Sequence, residues 1–186
     1  MFWKKLFWYL LDFKWEAGEW KYCSKEDRPA DFYVRDLQGN RCLIRRHEVW
    51  EAQETLGIHL APDGNVNLQA EKLKKLAIER ADNMRTGRIT RSEAWLAVTS
   101  TIMRTHSYPL AALNLTKSQC EDIMRPILYY ALPAMGFCRT FPRDIVFGPK
   151  LYLGLGFKHL YTLQETARLN DILYHTHCGP PPVICM

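Results

Sequence analysis

The sequence predicts an α+β fold, with β-hairpins first and a small bundle of about four helices after them. Three observations predict it. Residues 5–60 combine aromatic and β-branched side chains with turn signals at strand spacing. After Asn65 the apolar period changes from two to 3.6. Three Thr-x-x-Glu/Gln patterns then stand ahead of apolar-periodic runs, the signature of a capped helix start. The expected divisions are a β-rich region at 1–65, a helical region at 66–178 and a structureless tail at 179–186, where three consecutive prolines break any periodicity.

In chain order, Leu6–Trp15 reads as an aromatic strand. Glu16-Ala-Gly18-Glu19 is a turn, and Trp20–Cys23 resumes the alternation, which makes a hairpin. Phe32–Arg35 and Arg41–Arg45 flank Asp36-Leu-Gln-Gly39-Asn40, a second hairpin signal. His47–Gln53 reads as a helical turn or loop. Thr55–Leu60 reads as one short strand running into the turn Ala61-Pro-Asp-Gly-Asn65. Leu68, Leu73, Leu76, Ala77, Ala81 and Met84 form the apolar stripe of a first helix, and Gly87 stops it. Thr90-x-x-Glu93 opens a helix over Ser92–His106, and Thr116-x-x-Gln119 opens one over Lys117–Leu132, with a kink or break expected at Pro126. Thr162-x-x-Glu165 opens the last, over Leu163–His175. Pro133–Tyr161 reads as an aromatic linker rich in Pro and Gly.

The chain has 186 residues, 25 Lys and Arg against 20 Asp and Glu, and a net charge of +5. That length suits one domain or two small ones. With 47% hydrophobic and 24% charged residues, the composition excludes wholesale disorder. No apolar run approaches the roughly 18 residues of a membrane helix. The charge is unevenly placed. Residues 67–91 hold Lys72, Lys74, Lys75, Arg80, Arg85, Arg88 and Arg91 against Glu71, Glu79 and Asp82, a local net of +4. Such a stretch is either a solvated helix face or a surface for a polyanion.

Six cysteines lack the spacing of a disulfide framework or a C-x-x-C pair, so reduced thiols and an intracellular protein, cytoplasmic or nuclear, are expected. Lys4 and Lys5 precede the apolar run Leu6–Leu11, which is too short for a signal peptide. Strand-like sequence begins almost at Met1, as in a piece of something larger. Catalytic patterns are missing: neither a phosphate loop nor a Gly-x-Ser-x-Gly elbow occurs. Gly154-Leu-Gly156 lacks the third glycine of a dinucleotide site and reads as a tight turn. His175-x-His177-Cys178, with Cys185 or His159 as further donors, has zinc-type ligands without a zinc-type spacing, and reads as a chance cluster.

Several strings, in order, resemble the distal part of reverse transcriptases encoded by eukaryotic retroelements. They are Lys4–Trp15, Val34-Arg-Asp-x-x-Gly-Asn40, Glu54–Asn65, Ser107–Ala111, Gln119–Met124, Leu132–Gly136, Arg139–Arg143, Gly154-Leu-Gly156 and Leu160-Tyr-Thr162. The resemblance implies the last palm strands followed by a thumb. The catalytic aspartates of such polymerases precede this region, and their Tyr/Phe-x-Asp-Asp hairpin does not occur in this chain. The resemblance therefore implies a truncated RNA-directed DNA polymerase without activity of its own. It implies no cofactor in this chain, Mg2+ being expected only with the missing palm.

It also implies that Lys4 or Lys5 is a palm lysine, that Leu56-Gly57-Ile58 supports a primer terminus, and that 67–87 is the first thumb helix. Gly57 offers a backbone that a sugar-phosphate chain can approach. The implied nucleic-acid-binding set is Lys4, Lys5, Gly57, Lys72, Lys74, Lys75, Arg80, Arg85, Arg88 and Arg91. The implied partner is an RNA/DNA hybrid or duplex, with no membrane involved. The second reading is a degenerate or domesticated helical module that binds protein, or self-associates through Phe2, Trp3, Phe7 and Trp8.

Overall fold

A computed structural model of the chain describes residues 6–36 and 38–178. They divide into two compact units, at 65/66. The expected tail 179–186, and Phe2, Trp3, Lys4 and Lys5, lie outside the described residues.

The first unit carries seven short strands: β1 Phe7–Tyr9, β2 Phe13–Glu16, β3 Glu19–Tyr22, β4 Phe32–Arg35, β5 Arg41–His47, β6 Gln53–Thr55 and β7 Ile58–Leu60. They form a sheet in the order β1-β5-β4 and two hairpins, β2-β3 and β6-β7. The two hairpins predicted at 16–19 and 36–40 are present, as β2-β3 and β4-β5. Leu6–Trp15 is not one strand. Its first part pairs parallel with β5, Trp8 opposite Arg46, while its second turns away to pair with β3. Thr55–Leu60 is likewise a hairpin, not a single strand. Leu56 and Gly57 form its two-residue turn, at φ 52° and 82°, the double positive φ of a type I′ turn.

Alternation puts Phe13, Tyr22, Trp15 and Trp20 on one face of β2-β3 and Lys14, Lys21, Glu16 and Glu19 on the other. Trp15 and Trp20 meet edge to face at 5.2 Å. Cys23, Ile44, Val49 and Ile58 are the buried apolar residues of this unit. Glu48 ties its loops together, accepting from the Tyr22 hydroxyl at 2.9 Å and from the Lys25 amide at 2.7 Å.

The second unit contains α1 Asn67–Thr86, α2 Arg91–Leu96, a π-helical turn Ala97–Ile102, α3 Met103–Ser107, α4 Lys117–Ala134, α5 Arg143–Phe147 and α6 Leu160–Cys178. The segments from Arg91 to Ser107 are one continuous rod, so the helices count as five. The fifth, α5, is a short piece in the stretch expected to be linker. α1 and α6 both pack on α4. No helix of the described residues is long and apolar enough to cross a membrane.

The buried stripe of α1 is Gln69, Leu73, Ala77, Ala81 and Met84. It has the predicted period but a shifted start: Leu68 is exposed and Gln69 is buried in its place. Gly87 follows the last residue, at an ordinary φ of −71°, so it ends the helix without a left-handed cap. α4 runs unbroken through Pro126, against expectation. Cys120, Ile123, Met124, Ile127, Leu128, Ala131 and Leu132 are all buried along it. That burial outweighs the roughly 3 kcal/mol a mid-helix proline costs.

Two of the three expected capping boxes form, at Thr90/Glu93 and Thr116/Gln119. The third does not. α6 begins at Leu160, which places Thr162 inside the helix, and Glu165 pairs with Arg168 at 2.9 Å instead.

The π turn has a readable cause. Ala94, Val98, Ile102 and His106 are buried at strict four-residue spacing. In an α-helix each such step drifts by about 40°, which would carry the stripe off the core. The wider π turn, marked by the Met103 amide bonding to the Val98 carbonyl, keeps the four on one face. The Thr99 hydroxyl donates to the Trp95 carbonyl at 2.8 Å and the Ser100 hydroxyl donates to that of Leu96. These bonds occupy acceptors near the altered register.

Candidate nucleic-acid interface

The expected cations fall in different settings. Lys74 and Lys75 are exposed on α1, and Lys72 is half-buried. At 100° per residue, the arc opposite the buried stripe holds Lys75 together with Glu71, Glu79 and Asp82. Lys72 lies on one flank of that arc, and Lys74 and Arg85 on the other. The helix therefore presents cations along two edges with carboxylates between them, rather than one uniformly basic face. Arg85 bonds Asp82 at 2.8 Å, which lifts its pKa further above the usual guanidinium value.

Arg80 is half-buried, and its Nε is enclosed without a hydrogen-bond partner. It serves the interior more than the surface. Arg88 is exposed in the connection to α2. Arg91 opens α2, its guanidinium lying against Gly136, where a Cβ would come within 2.9 Å of Arg91 Nε. Gly57 belongs to the first unit. Space around it is open, and its φ of +82° is what requires glycine there. Lys4 and Lys5 lie outside the described residues. Of the implied set, the structure thus gathers Lys72, Lys74, Lys75, Arg80 and Arg85 on α1, with Arg88 and Arg91 just beyond its end.

Charge divides between the units. Residues 1–65 hold ten basic and eleven acidic side chains, and residues 66–186 hold fifteen and nine, so the net is −1 against +6. Four of the nine acids of the second unit are engaged locally. Asp82, Asp122 and Glu165 each pair with an arginine three residues on. Glu93 accepts from the Thr90 amide at 2.7 Å, which holds its carboxyl below the usual range. Lys74, Lys75 and Arg88 have no carboxylate within pairing distance among the described residues.

Sequence spacing does not reveal two further features. In the first unit, a cavity of about 560 Å3 is lined by Leu6, Phe7, Arg45, His47, Glu51, Gln53 and Glu54. His47 is buried there and bonds Glu51 at 2.5 Å through Nδ1, and this bond holds the Glu51 carboxyl below its ordinary range. In the second unit, a cavity of about 330 Å3 opens beside the π turn, lined by Thr99, Met103, Arg104, Ser107, Gly156, Phe157, Lys158 and Leu163. Its far wall is fixed by a looped segment. The Leu155 amide donates to the Ile145 carbonyl, that of Gly156 to Gly148 and that of Phe157 to Val146. Gly154 and Gly148 touch so closely that a Cβ on Gly154 would fall 2.1 Å from the Gly148 oxygen. The tight-turn reading of Gly154-Leu-Gly156 agrees with this geometry.

His175 and His177 lie on the exposed end of α6. Among the described residues no group of three or more His, Cys, Asp or Glu side chains is placed to hold a metal ion. Comparison of the chain with protein-family models, with curated proteins and with solved structures finds no match.

Proposed function

We propose that the helical unit is a nucleic-acid-binding, thumb-like region of the reverse-transcriptase type. It would grip the sugar-phosphate backbone of a duplex or RNA/DNA hybrid, and the chain would have no polymerase activity of its own. The observation that carries this reading is the segregation of charge: a net of +6 after residue 65, with the exposed Lys74, Lys75 and Arg88 unpaired among the described residues, and Asp82, Asp122 and Glu165 each held by an arginine. Unpaired surface Lys and Arg neutralise phosphates and release counterions without reading base sequence. The Tyr/Phe-x-Asp-Asp hairpin that holds the metal pair of such polymerases does not occur in this sequence.

The test is the salt dependence of duplex affinity. Replacing Lys74, Lys75 and Arg88 together with Ala should lower the slope of log K against log salt by about 3, roughly 0.9 for each phosphate no longer neutralised. An unchanged slope removes these residues from the interface. Primer extension with Mg2+ should give no product above background.

One observation favours the protein-binding reading. Leu169, Ile172, Leu173 and Tyr174 are all exposed on the distal half of α6, a spacing that suits a helix laid into a groove. Concentration-dependent sedimentation that Leu169→Ser/Leu173→Ser abolishes would support it.

A further inference from the structure

The cavity beside the π turn has the composition of an anion site with an apolar floor. Arg104 comes from α3 and Lys158 from the segment before α6. Both are exposed, and neither side chain has an ion-pair or hydrogen-bond partner among the described residues. No acidic residue lines the cavity. Two unpaired cations on one cavity with no acid beside them give it a positive potential that favours a bound anion. The third nearby cation is already engaged: the Lys150 ammonium lies 5.4 Å from the Trp95 ring centroid, and its stem covers Gly156.

The remaining lining specifies more than an anion. Met103, Phe157 and Leu163 supply apolar surface, and Phe157 is held in place by stacking on Trp95 at 5.3 Å. The hydroxyls of Thr99 and Ser107 already give their protons to the carbonyls of Trp95 and Arg104, at 2.8 and 3.0 Å. Toward a ligand they are therefore acceptors, which suit a hydroxyl or amino donor and not a phosphate oxygen. The volume of about 330 Å3 lies in the range of small-ligand sites. The wall contains the only π-helical turn among the described residues, a distortion often found at functional sites.

We propose that this cavity binds a nucleotide carrying a terminal phosphate monoester, with Arg104 and Lys158 on the phosphate. Thr99 and Ser107 accept from sugar or base donors, and the planar base lies against Met103, Phe157 and Leu163. A free mononucleotide and the phosphorylated end of a strand share this chemistry. The site is separate from the duplex surface of α1 and does not rest on that reading.

The experiment is calorimetric titration of the full chain with AMP, adenosine, inorganic phosphate and two ten-nucleotide single strands, one 5′-phosphorylated and one 5′-hydroxyl. AMP should bind about tenfold or more tightly than adenosine or phosphate, because each carries only half of the recognised chemistry. Arg104→Ala/Lys158→Ala should weaken AMP by about tenfold or more, while the charge-preserving Arg104→Lys/Lys158→Arg and the remote Arg125→Ala should stay within about threefold. Competition with AMP by the phosphorylated strand alone assigns the site to strand ends. AMP binding that neither strand displaces assigns it to free nucleotides. Either result supports the proposal. Equal binding of AMP and adenosine, phosphate binding as tight as AMP, or indifference to the double alanine substitution overturns it. Duplex binding is measured in parallel: duplex bound without AMP overturns only this inference, and AMP bound without duplex overturns only the thumb-like reading.

Discussion

Gln164 offers the sharpest test of how the helical unit is held together. It is fully buried in α6 and pairs with the main chain of Leu115 as a neighbouring strand would. Its Oε1 accepts from the Leu115 amide at 2.9 Å, and its Nε2 donates to the Leu115 carbonyl at 3.0 Å. Leu115 is itself only 1% exposed, so no bulk water replaces these bonds. Gln164→Leu keeps the volume and strands one buried donor and one buried acceptor. At about 1–3 kcal/mol for each unsatisfied group, the loss is between about 2 and 6 kcal/mol. For a unit of this size that lowers the melting temperature by roughly 10 °C.

Gln164→Glu separates the hydrogen-bond account from simple packing. Its carboxylate would face the Leu115 carbonyl, oxygen to oxygen, so the folded state favours the protonated acid, which restores the donor. The folded pKa is therefore raised. The deficit relative to wild type is largest at neutral pH and shrinks as pH falls below that raised value. Urea denaturation of the three proteins at pH 7.5 and pH 5 reads both effects. If Gln164→Leu costs under about 1 kcal/mol, or the Glu variant's deficit ignores pH, the strand-mimic account is wrong.

Three further outcomes follow from the same structure. Burial lowers the His106 pKa despite its contacts with the carbonyls of Ile102 and Leu73, so the unfolded chain takes up the proton first. Stability should hold above the ordinary histidine pKa of about 6.5 and fall as pH drops below it; urea midpoints for His106→Gln should show a shallower acid loss. Gly154→Ala places a methyl on the Gly148 carbonyl and should destabilise the unit by about 2 kcal/mol or more, read by thermal melting. Leu56 is 85% exposed at a positive φ, so Leu56→Asn should stabilise the first unit by roughly 0.5 kcal/mol in urea titrations, and a loss would refute the turn assignment.

Local signals carried most of the fold. Ala17-Gly18 and Gly39 mark real hairpin turns, and Thr90 and Thr116 cap real helices because each motif acts within four residues. The misses are non-local. Nothing in Phe7–Tyr9 announces a parallel partner at Arg45–His47. Thr162 matches a capping box, but Leu160 is fully buried and the helix starts there, three residues before the expected Leu163. Pro126 signals a break that the surrounding core overrides.

The candidate site was partly legible for the same reason. The cations of residues 67–91 can be counted, but which face they share depends on the phase of the buried stripe, which Gln69 rather than Leu68 sets. The cavity joining Arg104 to Lys158 has no local signature, because its walls meet only in the folded unit.

The distal half of α6 has a consequence for how the unit opens. From Leu169 to His177 every residue is exposed, whereas Leu160 and Gln164 anchor the first turns in the core. The ten residues from Leu169 to the helix end at Cys178, about 15 Å, are too few to nucleate alone in water. The extension is helical only while the anchored turns template it. Its backbone amides should therefore exchange with solvent deuterium by fraying, at rates unrelated to global unfolding, while those of residues 164–168 exchange only when the core opens.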